Sequence, residues 1–548
     1  MSTRSGGHAV VEVLAREGVR HVFSVPGESY LGVLDGLYQH PSIRLIVNRH
    51  EGGASFMAEA YAKASGEVGV CAATRGVGSA NLAIGLHTAM QDSTPVVALL
   101  GQIERPFKYR EAFQEVDLAA WFSHICKWTV QIDDAARIPE LLHRAFAVAR
   151  SGRPGPVVVA LPHDMLEDAC DAPALEPYRI PAPAAPAEAV AEVWEAVRHA
   201  HRPVILAGGG VLRAGATPQL TALAERLQIP VVTAFRRFDA FPNTHPCYVG
   251  WLGFGPAPHV LEAIRSADLV LAIGTRFSQV TTQDYRLLSP QSRLIHVDIA
   301  PEVLGRVYPP SIPVVSDAAR FLDVLLGLVP SGQTEAAAAR AAWVADLHQR
   351  YLAHSTPPAD SRDDVVDLDG FMHDLNRFLP EDAILTSDAG NFFGWLVRYR
   401  RFQRPGTYVG PTSGAMGYGL PAAIGAKLAH PDRLVMSFSG DGGFLMTIQE
   451  LETAVRHQVP VVAVVINNHL YGTIRAHQDR RFPGRVVGTE LGNPNYAELA
   501  KTFGAFGVQV TRNQDVLPAL QEAVAAGRPA VVEVLTDPAI LSANQRKR

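Results

Sequence analysis

Short apolar runs rich in β-branched residues recur along this chain. Each is followed by a cluster of glycine, proline or polar residues, then by a stretch with apolar positions at helical spacing. Ala9, Val10, Val13 and Leu14 make one helix face; residues 22–25 read as a strand that Pro26-Gly27 ends. Helices are predicted over 31–38, 51–64 and 79–90, and strands over 45–47, 68–73, 95–100 and 157–160. Such alternation predicts a doubly wound α/β unit. The pattern resumes with strands over 203–207, 229–233, 269–273 and 294–297, and a third unit begins at Leu368. Residues 170–190, rich in Pro and Ala, read as a linker, and 330–365 as a second, partly helical one with a polar end. The fold expected is therefore α/β, with three doubly wound parallel-sheet domains over 1–170, 185–330 and 365–540, closed by a polar, basic tail.

Composition narrows the class. A chain of 548 residues exceeds one core, and 47% hydrophobic against 19% charged residues is the balance of a globular protein. With 49 basic and 54 acidic residues and no basic block, nothing invites nucleic acid or an anionic membrane. Cys71, Cys126, Cys170 and Cys247 form no CxxC pair and point to a reducing compartment. The N-terminus reads as an amphipathic helix without a signal-peptide core, and no stretch has the length of a membrane span. A cytoplasmic enzyme is expected.

The most informative stretch runs from Ser437 to Arg475. An apolar run over 434–438 reads as a buried strand broken by Gly440-Asp441-Gly442-Gly443. Ile448, Leu451, Ala454 and Val455 mark a helix over 447–457, and a second strand over 459–466 closes on Asn467-Asn468. A parallel crossover of this kind brings Asp441 and Asn468 to one edge, the edge where ligands gather in open α/β sheets. A carboxylate, an amide oxygen and glycine-freed N–H groups at a helix start suit Mg²⁺ and a diphosphate.

GDG, a spacer of this size and then NN resembles the motif of thiamine-diphosphate enzymes. RHEGGASFMAEAYAKASG, ATRGVGSANLAIGL, DSTPVVALLGQ, REAFQEVD, GAMGYGLPAAIGA and NNHLYGTIR are close to acetolactate synthase patterns. The chain thus resembles, over nearly its whole length, the acetolactate synthase / pyruvate decarboxylase group, closest to acetolactate synthase large subunits. The resemblance implies pyrimidine-binding, central and diphosphate-binding domains in that order, with thiamine diphosphate and Mg²⁺ as cofactors. It implies that Glu51 hydrogen-bonds N1′ of the aminopyrimidine, and that Met416 props the cofactor in its bent form. Asp441, Asn468 and the Leu470 carbonyl would be the metal ligands, and Gly390 and Asn391 would hold the diphosphate. Pro26, Thr74, Gly76, Gly440, Gly442, Gly443, Tyr471 and Gly472 complete the implied cofactor set.

The implied reaction is carboligation: a 2-keto acid such as pyruvate is decarboxylated and its acyl unit joined to a second carbonyl. Gln114, after Phe113, matches the acetolactate synthase glutamine beside the reacting carbons, where simple decarboxylases carry a His-His pair. Glu28, in Pro26-Gly27-Glu28, instead resembles the decarboxylases; it is either a proton donor or a helix cap. His477 stands where biosynthetic acetolactate synthases carry tryptophan. A 2-keto acid decarboxylase or a hydroxyketone lyase is thus the alternative within the family, and a flavin or nicotinamide oxidoreductase the one outside it. Gly208-Gly209-Gly210, Gly274-Thr275-Arg276-Phe277 and Asp298 resemble FAD-bearing members, whereas Phe254 and Ser278-Gln279-Val280 depart from them. FAD stays open, the departures weighing slightly against it. The family's assembly implies a homodimer or homotetramer with active sites at the subunit interface, and small-molecule substrates: a 2-keto acid and a carbonyl acceptor.

Overall fold

A computed structural model describes residues 4–332, 334–358 and 365–544. Three six-stranded sheets, each wholly parallel and flanked by helices, follow one another along the chain. Across the N-terminal sheet the strands run Arg44–Val47, His21–Ser24, Gly69–Ala73, Val96–Gln102, Pro156–Pro162, Trp128–Gln131. Across the C-terminal sheet they run Tyr408–Val409, Ile384–Ser387, Val435–Gly440, Val462–Asn467, Ala530–Leu535, Phe506–Val510. Numbered by position in the chain, both read 2-1-3-4-6-5. The central sheet runs Tyr248–Trp251, Val231–Thr233, Pro203–Ala207, Leu269–Ile273, Arg293–Asp298, Ile312–Val315, an order of 3-2-1-4-5-6. That last order is the one of dinucleotide-binding folds.

Most strands are buried on both faces, as parallel sheets require, which is why they read as unbroken apolar runs. Trp128–Gln131 breaks this rule: it is a half-buried edge strand, and neither it nor the helix Ile138–Arg150 beside it stands among the expected elements.

The flanking domains share a core. Helix Glu51–Ser65 crosses helix Gly419–Ala429 so closely that a Cβ on Gly425 would lie 2.3 Å from the Met57 carbonyl oxygen. Phe56, Met57, Tyr418, Leu420 and Ile424 are buried in that contact, each large apolar side chain contributing about 1.5–3 kcal/mol. A buried ionic knot ties in the central domain. Asp92 accepts from Lys63 at 2.9 Å, from Arg237 at 2.6 Å and from the Thr412 N–H at 3.0 Å. Burial alone would raise the Asp92 carboxyl; Lys63 and Arg237 overcome this and hold it below the usual carboxylate range.

Two expectations need correction. The helix expected over 447–457 is present, shortened to Glu450–Arg456, but the glycine cluster before it is not a loop: it opens a helix of its own, Asp441–Thr447. The glycines serve close approach instead: a Cβ on Gly443 would lie 2.5 Å from Asp388 Oδ2, and one on Gly442 2.4 Å from Tyr471. Nor is 330–365 mainly a connector. Helix Glu335–His354 buries Val344, Leu347 and Tyr351 against the central domain, and buried Arg340 donates to the carbonyls of Val197, Ala200 and Leu227. The polar end of that segment and the basic tail lie outside the described residues. Among the described residues, no helix is long and apolar enough to cross a membrane.

Candidate active site

In both flanking sheets strands 1 and 3 are neighbours whose connections leave in different directions, and the sequence-predicted residues collect at their carboxyl ends. At the N-terminal sheet, Pro26, Gly27 and Glu28 follow strand 1, Glu51 opens the helix after strand 2, and Thr74 and Gly76 follow strand 3. His50 starts the Glu51 helix by accepting the Gly52 N–H on its ring at 3.0 Å. The half-buried Glu51 carboxylate accepts from Asn81 Nδ2 at 3.0 Å, and a Cβ on Gly78 would sit 3.1 Å from its other oxygen. Gln114, in a left-handed conformation at φ 63°, places its carbonyl 3.3 Å from the Gly76 N–H. Glu28 is paired with Arg75 at 2.7 Å. Among the described residues no hydrogen bond joins Glu51, Gln114 and Glu28 to one another.

Glu450, which lies within the Ser437–Arg475 stretch but between its two polar clusters, fixes this edge from the other domain. Wholly buried, it accepts from the N–H groups of Arg49 and His50, from Asn48 Nδ2 at 3.0 Å and from Thr453 Oγ1 at 2.7 Å. A carboxylate thus caps, across domains, the turn that delivers Glu51. Burial pushes the Glu450 carboxyl up, and these donors oppose that rise. Gly53 is required here, since a Cβ would meet Glu450 at 2.4 Å.

The C-terminal edge is built from amides. Asp441, 3% exposed, accepts from the Gly442 N–H at 2.9 Å and from Asn493 Nδ2 at 2.8 Å. Asn493 also donates to Asn467 Oδ1 at 2.9 Å, and Asn467 donates to buried Glu533 at 2.8 Å. Burial pushes the Asp441 carboxyl up, a tension that a bound cation relieves. Asn468 folds its Oδ1 back on the Leu470 N–H at 3.1 Å, presenting the turn that continues into Tyr471 and Gly472. A Cβ on Gly472 would lie 3.2 Å from Asn391 Nδ2 and 3.3 Å from Asn468 Nδ2, so these three meet. Gly390 and Asn391 follow strand 1, and Gly440 ends strand 3. Asn391 Oδ1 accepts from Thr473 at 2.6 Å, but its Nδ2 is buried with no partner. An orphaned buried donor beside a glycine suits an anion. Half-buried Met416 stands between Gly414 and Gly417, both at positive φ. His477 is exposed on the helix Gly472–Arg481.

Asp388 also went unread in the sequence. It ends strand 1, is fully buried, accepts the Gly419 N–H, and leaves Oδ2 without a partner; burial pushes its carboxyl up to about 6. Asp388, Glu450 and Asn493 gave no signal because each is defined by partners far away in the chain.

Comparison with known proteins agrees with this division. Residues 4–121 match the family described as thiamine pyrophosphate enzyme, N-terminal TPP binding domain; 190–325 match its central domain and 388–534 its C-terminal TPP binding domain. The chain is 34% identical to a probable acetolactate synthase large subunit of Methanocaldococcus jannaschii, over 97% of this chain and 92% of that one. It is 32% identical to the acetolactate synthase isozyme 3 large subunit of Escherichia coli, over 98% and 96% respectively. An acetolactate synthase large subunit of Corynebacterium glutamicum is 33% identical, over 97% and 86%. With three matched domains and similarity along the whole chain, the protein belongs to the thiamine-diphosphate enzymes, as a member of the acetolactate synthase type.

Proposed function

We propose that the protein is a thiamine-diphosphate- and Mg²⁺-dependent carboligase that decarboxylates a pyruvate-like 2-keto acid and joins its acyl unit to a second carbonyl. The observation that carries this reading is the whole-length similarity to acetolactate synthase large subunits. The residues at the C-terminal edge fit the cofactor's charged end. Asp441, Asn468 and the Leu470 carbonyl would hold Mg²⁺, and Asn391 Nδ2 with the Gly440–Gly443 turn would hold the diphosphate. When bound, thiamine diphosphate supplies the nucleophilic carbon and the electron sink that decarboxylation needs. Glu51 holds and returns a proton at the aminopyrimidine; the Glu450 cap keeps its turn in place. Met416 would support the bound cofactor, and Gln114 would offer a neutral amide to the substrates. Glu28 is anchored to Arg75, which supports a binding role over proton donation to the acyl carbon. Product analysis from pyruvate, alone and with added aldehydes, tests the reading: ligated product should exceed free aldehyde, and aldehyde alone would transfer the assignment to the decarboxylases.

For FAD the fit is split. Gly208 and Gly210 are occupied in packing on Gly274, and Arg237 lies over Gly209, so the glycine run offers no open cradle. Against this, half-buried Arg276 is pushed down to about 10, first by desolvation and then by Arg153. The absorbance spectrum of the purified protein decides between a flavin-bearing and a flavin-free central domain.

For assembly we propose a dimer or dimer of dimers, with Glu51 and Asp441 of one site on different chains. Phe107, Tyr109, Phe113 and Trp121, beside Gln114, are 48%, 86%, 72% and 45% exposed, and Leu445 and Met446, beside Asp441, are 43% and 49% exposed. Apolar exposure on that scale around a site is what a partner covers. Mixing Glu51→Gln with Asp441→Ala subunits should restore activity at about a quarter of the sites, because half the dimers become hybrids with one intact site each. No restoration would place both residues of a site on one chain.

A further inference from the structure

One ion pair at the N-terminal edge is built differently from the others. Strands 1 and 3 end side by side, so the segments Val25–Glu28 and Thr74–Gly76 face each other across the crevice between them. They touch: Ser29 Oγ lies 2.8 Å from Thr74 Oγ1, and a Cβ on Gly27 would lie 2.5 Å from Thr74 Cβ. Arg75 and Glu28 bridge the crevice. The cation is the inner partner, its side chain 7% exposed, and the anion is the outer one, 65% exposed. Arg75 Nη1 donates to Glu28 at 2.7 Å, while Arg75 Nε is buried with no partner.

A guanidinium carries five donors in a fixed fork. Deep in the protein it asks for more than one exposed carboxylate oxygen, and a pair with so exposed a partner holds weakly. The buried pairs elsewhere differ. Asp92 collects Lys63 and Arg237, and Glu17 collects His143 and Arg150, so those groups meet wholly buried acids. Among the described residues, Arg75 alone combines a buried fork, an unused donor and a counter-ion at the rim, at the edge that also holds Glu51 and the Gln114 carbonyl.

We propose that Arg75 is a specificity residue: it receives the carboxylate of the acceptor keto acid, and Glu28 is the counter-ion that this carboxylate displaces. The assignment to the acceptor rests on the carboligase reading and on transition-state logic. The donor's carboxylate departs as CO₂, so an arginine gripping it would stabilise the ground state and raise the barrier. The acceptor's carboxylate survives into product. There the electron pair left by CO₂ forms the new bond to the acceptor's ketone carbon, and the ketone oxygen takes up one proton. Gripping that carboxylate orients the acceptor through both steps. Against an acceptor without a carboxylate, the same arginine gives no help.

The test uses the holoenzyme with saturating pyruvate and two acceptors of similar size, 2-ketobutyrate and propanal. Arg75→Met should lower the ratio of keto-acid to aldehyde product about tenfold or more, through the KM for 2-ketobutyrate, with Arg75→Lys falling between. Glu28→Gln should lower that KM, since the competing anion is gone. An equal loss with both acceptors in Arg75→Met, or a rise in the 2-ketobutyrate KM in Glu28→Gln matching that in Arg75→Met, would reduce the pair to architecture. Lactate, a carboxylate that is not decarboxylated, separates this from failure of the parent reading. If the wild type makes no ligated product, tenfold weaker lactate binding in Arg75→Met, by calorimetry, upholds the arginine as a carboxylate receptor; unchanged binding overturns it.

Discussion

Two regions of this molecule share a strand order of 2-1-3-4-6-5 and part company at their carboxyl edges. The N-terminal edge carries Glu51, Glu28 and Arg75, with Glu51 half-buried and Glu28 open to solvent. The C-terminal edge carries two buried acids, Asp441 inside a lattice of asparagine amides and Asp388 on the Gly419 N–H. The difference teaches that topology decides only where a ligand can sit. Side chains that can exchange protons and carboxylates suit the reacting end of a cofactor, whereas a dry, preorganised amide shell suits a metal and a diphosphate. The central sheet, in its 3-2-1-4-5-6 order, makes the same point from the other side: a dinucleotide-type topology there goes with glycines already spent on backbone packing.

The comparison can be broken at either edge. The largest effect expected is from Asp441→Ala, which removes the charged ligand of the proposed metal site; the apparent Kd for thiamine diphosphate at fixed Mg²⁺ should rise by about 100-fold or more. A fluorescence titration measures it, and near-normal affinity would remove Asp441 from the metal site. Glu51→Gln should act on chemistry and spare binding. Hydrogen exchange at the cofactor's reactive carbon, followed by NMR, should slow by about 10²- to 10⁴-fold while the same titration stays within a few-fold of wild type. Weak binding with normal exchange would reverse the roles given to the two edges.

Glu450→Ala tests the coupling between them. Buried donors on Asn48, Arg49 and His50 lose their acceptor, and stability should fall by about 2–4 kcal/mol. Thermal unfolding reads this, and a melting temperature unchanged within a degree or two would make the cap dispensable.

The smallest effect concerns Asp388. Its carboxyl is pushed up to about 6 by burial, so the folded state holds the proton more tightly than the unfolded chain. Its contribution to stability is therefore fully present below the ordinary carboxylate range and is lost as pH rises through about 6. Asp388→Asn should flatten this part of the pH–stability profile between about 4 and 6, by about 1–2 kcal/mol across the window. An unaltered slope would mean that the C-terminal edge is wetter than its burial indicates.

What the sequence settled by itself was local. Strands buried on both faces stood out as apolar runs, and the helices between them showed their periodicity. Gly440–Gly443 and Asn467–Asn468 were legible because one crossover ties them to the same edge, and Glu51 through the resemblance carried by its motif. Trp128–Gln131 was hidden, since an edge strand with every residue half-buried has neither an apolar run nor a clean alternation. Gly442 and Gly443 read as the end of a strand and the start of a helix, but a sequence cannot say that Tyr471 and Asp388 press against them. Glu450 beside the Glu51 turn, Asn493 on Asp441 and Arg75 facing Glu28 were decided only by tertiary structure. Each depends on bringing together segments that chain spacing leaves independent, and on burial, which turns an ordinary side chain into one that must find a partner.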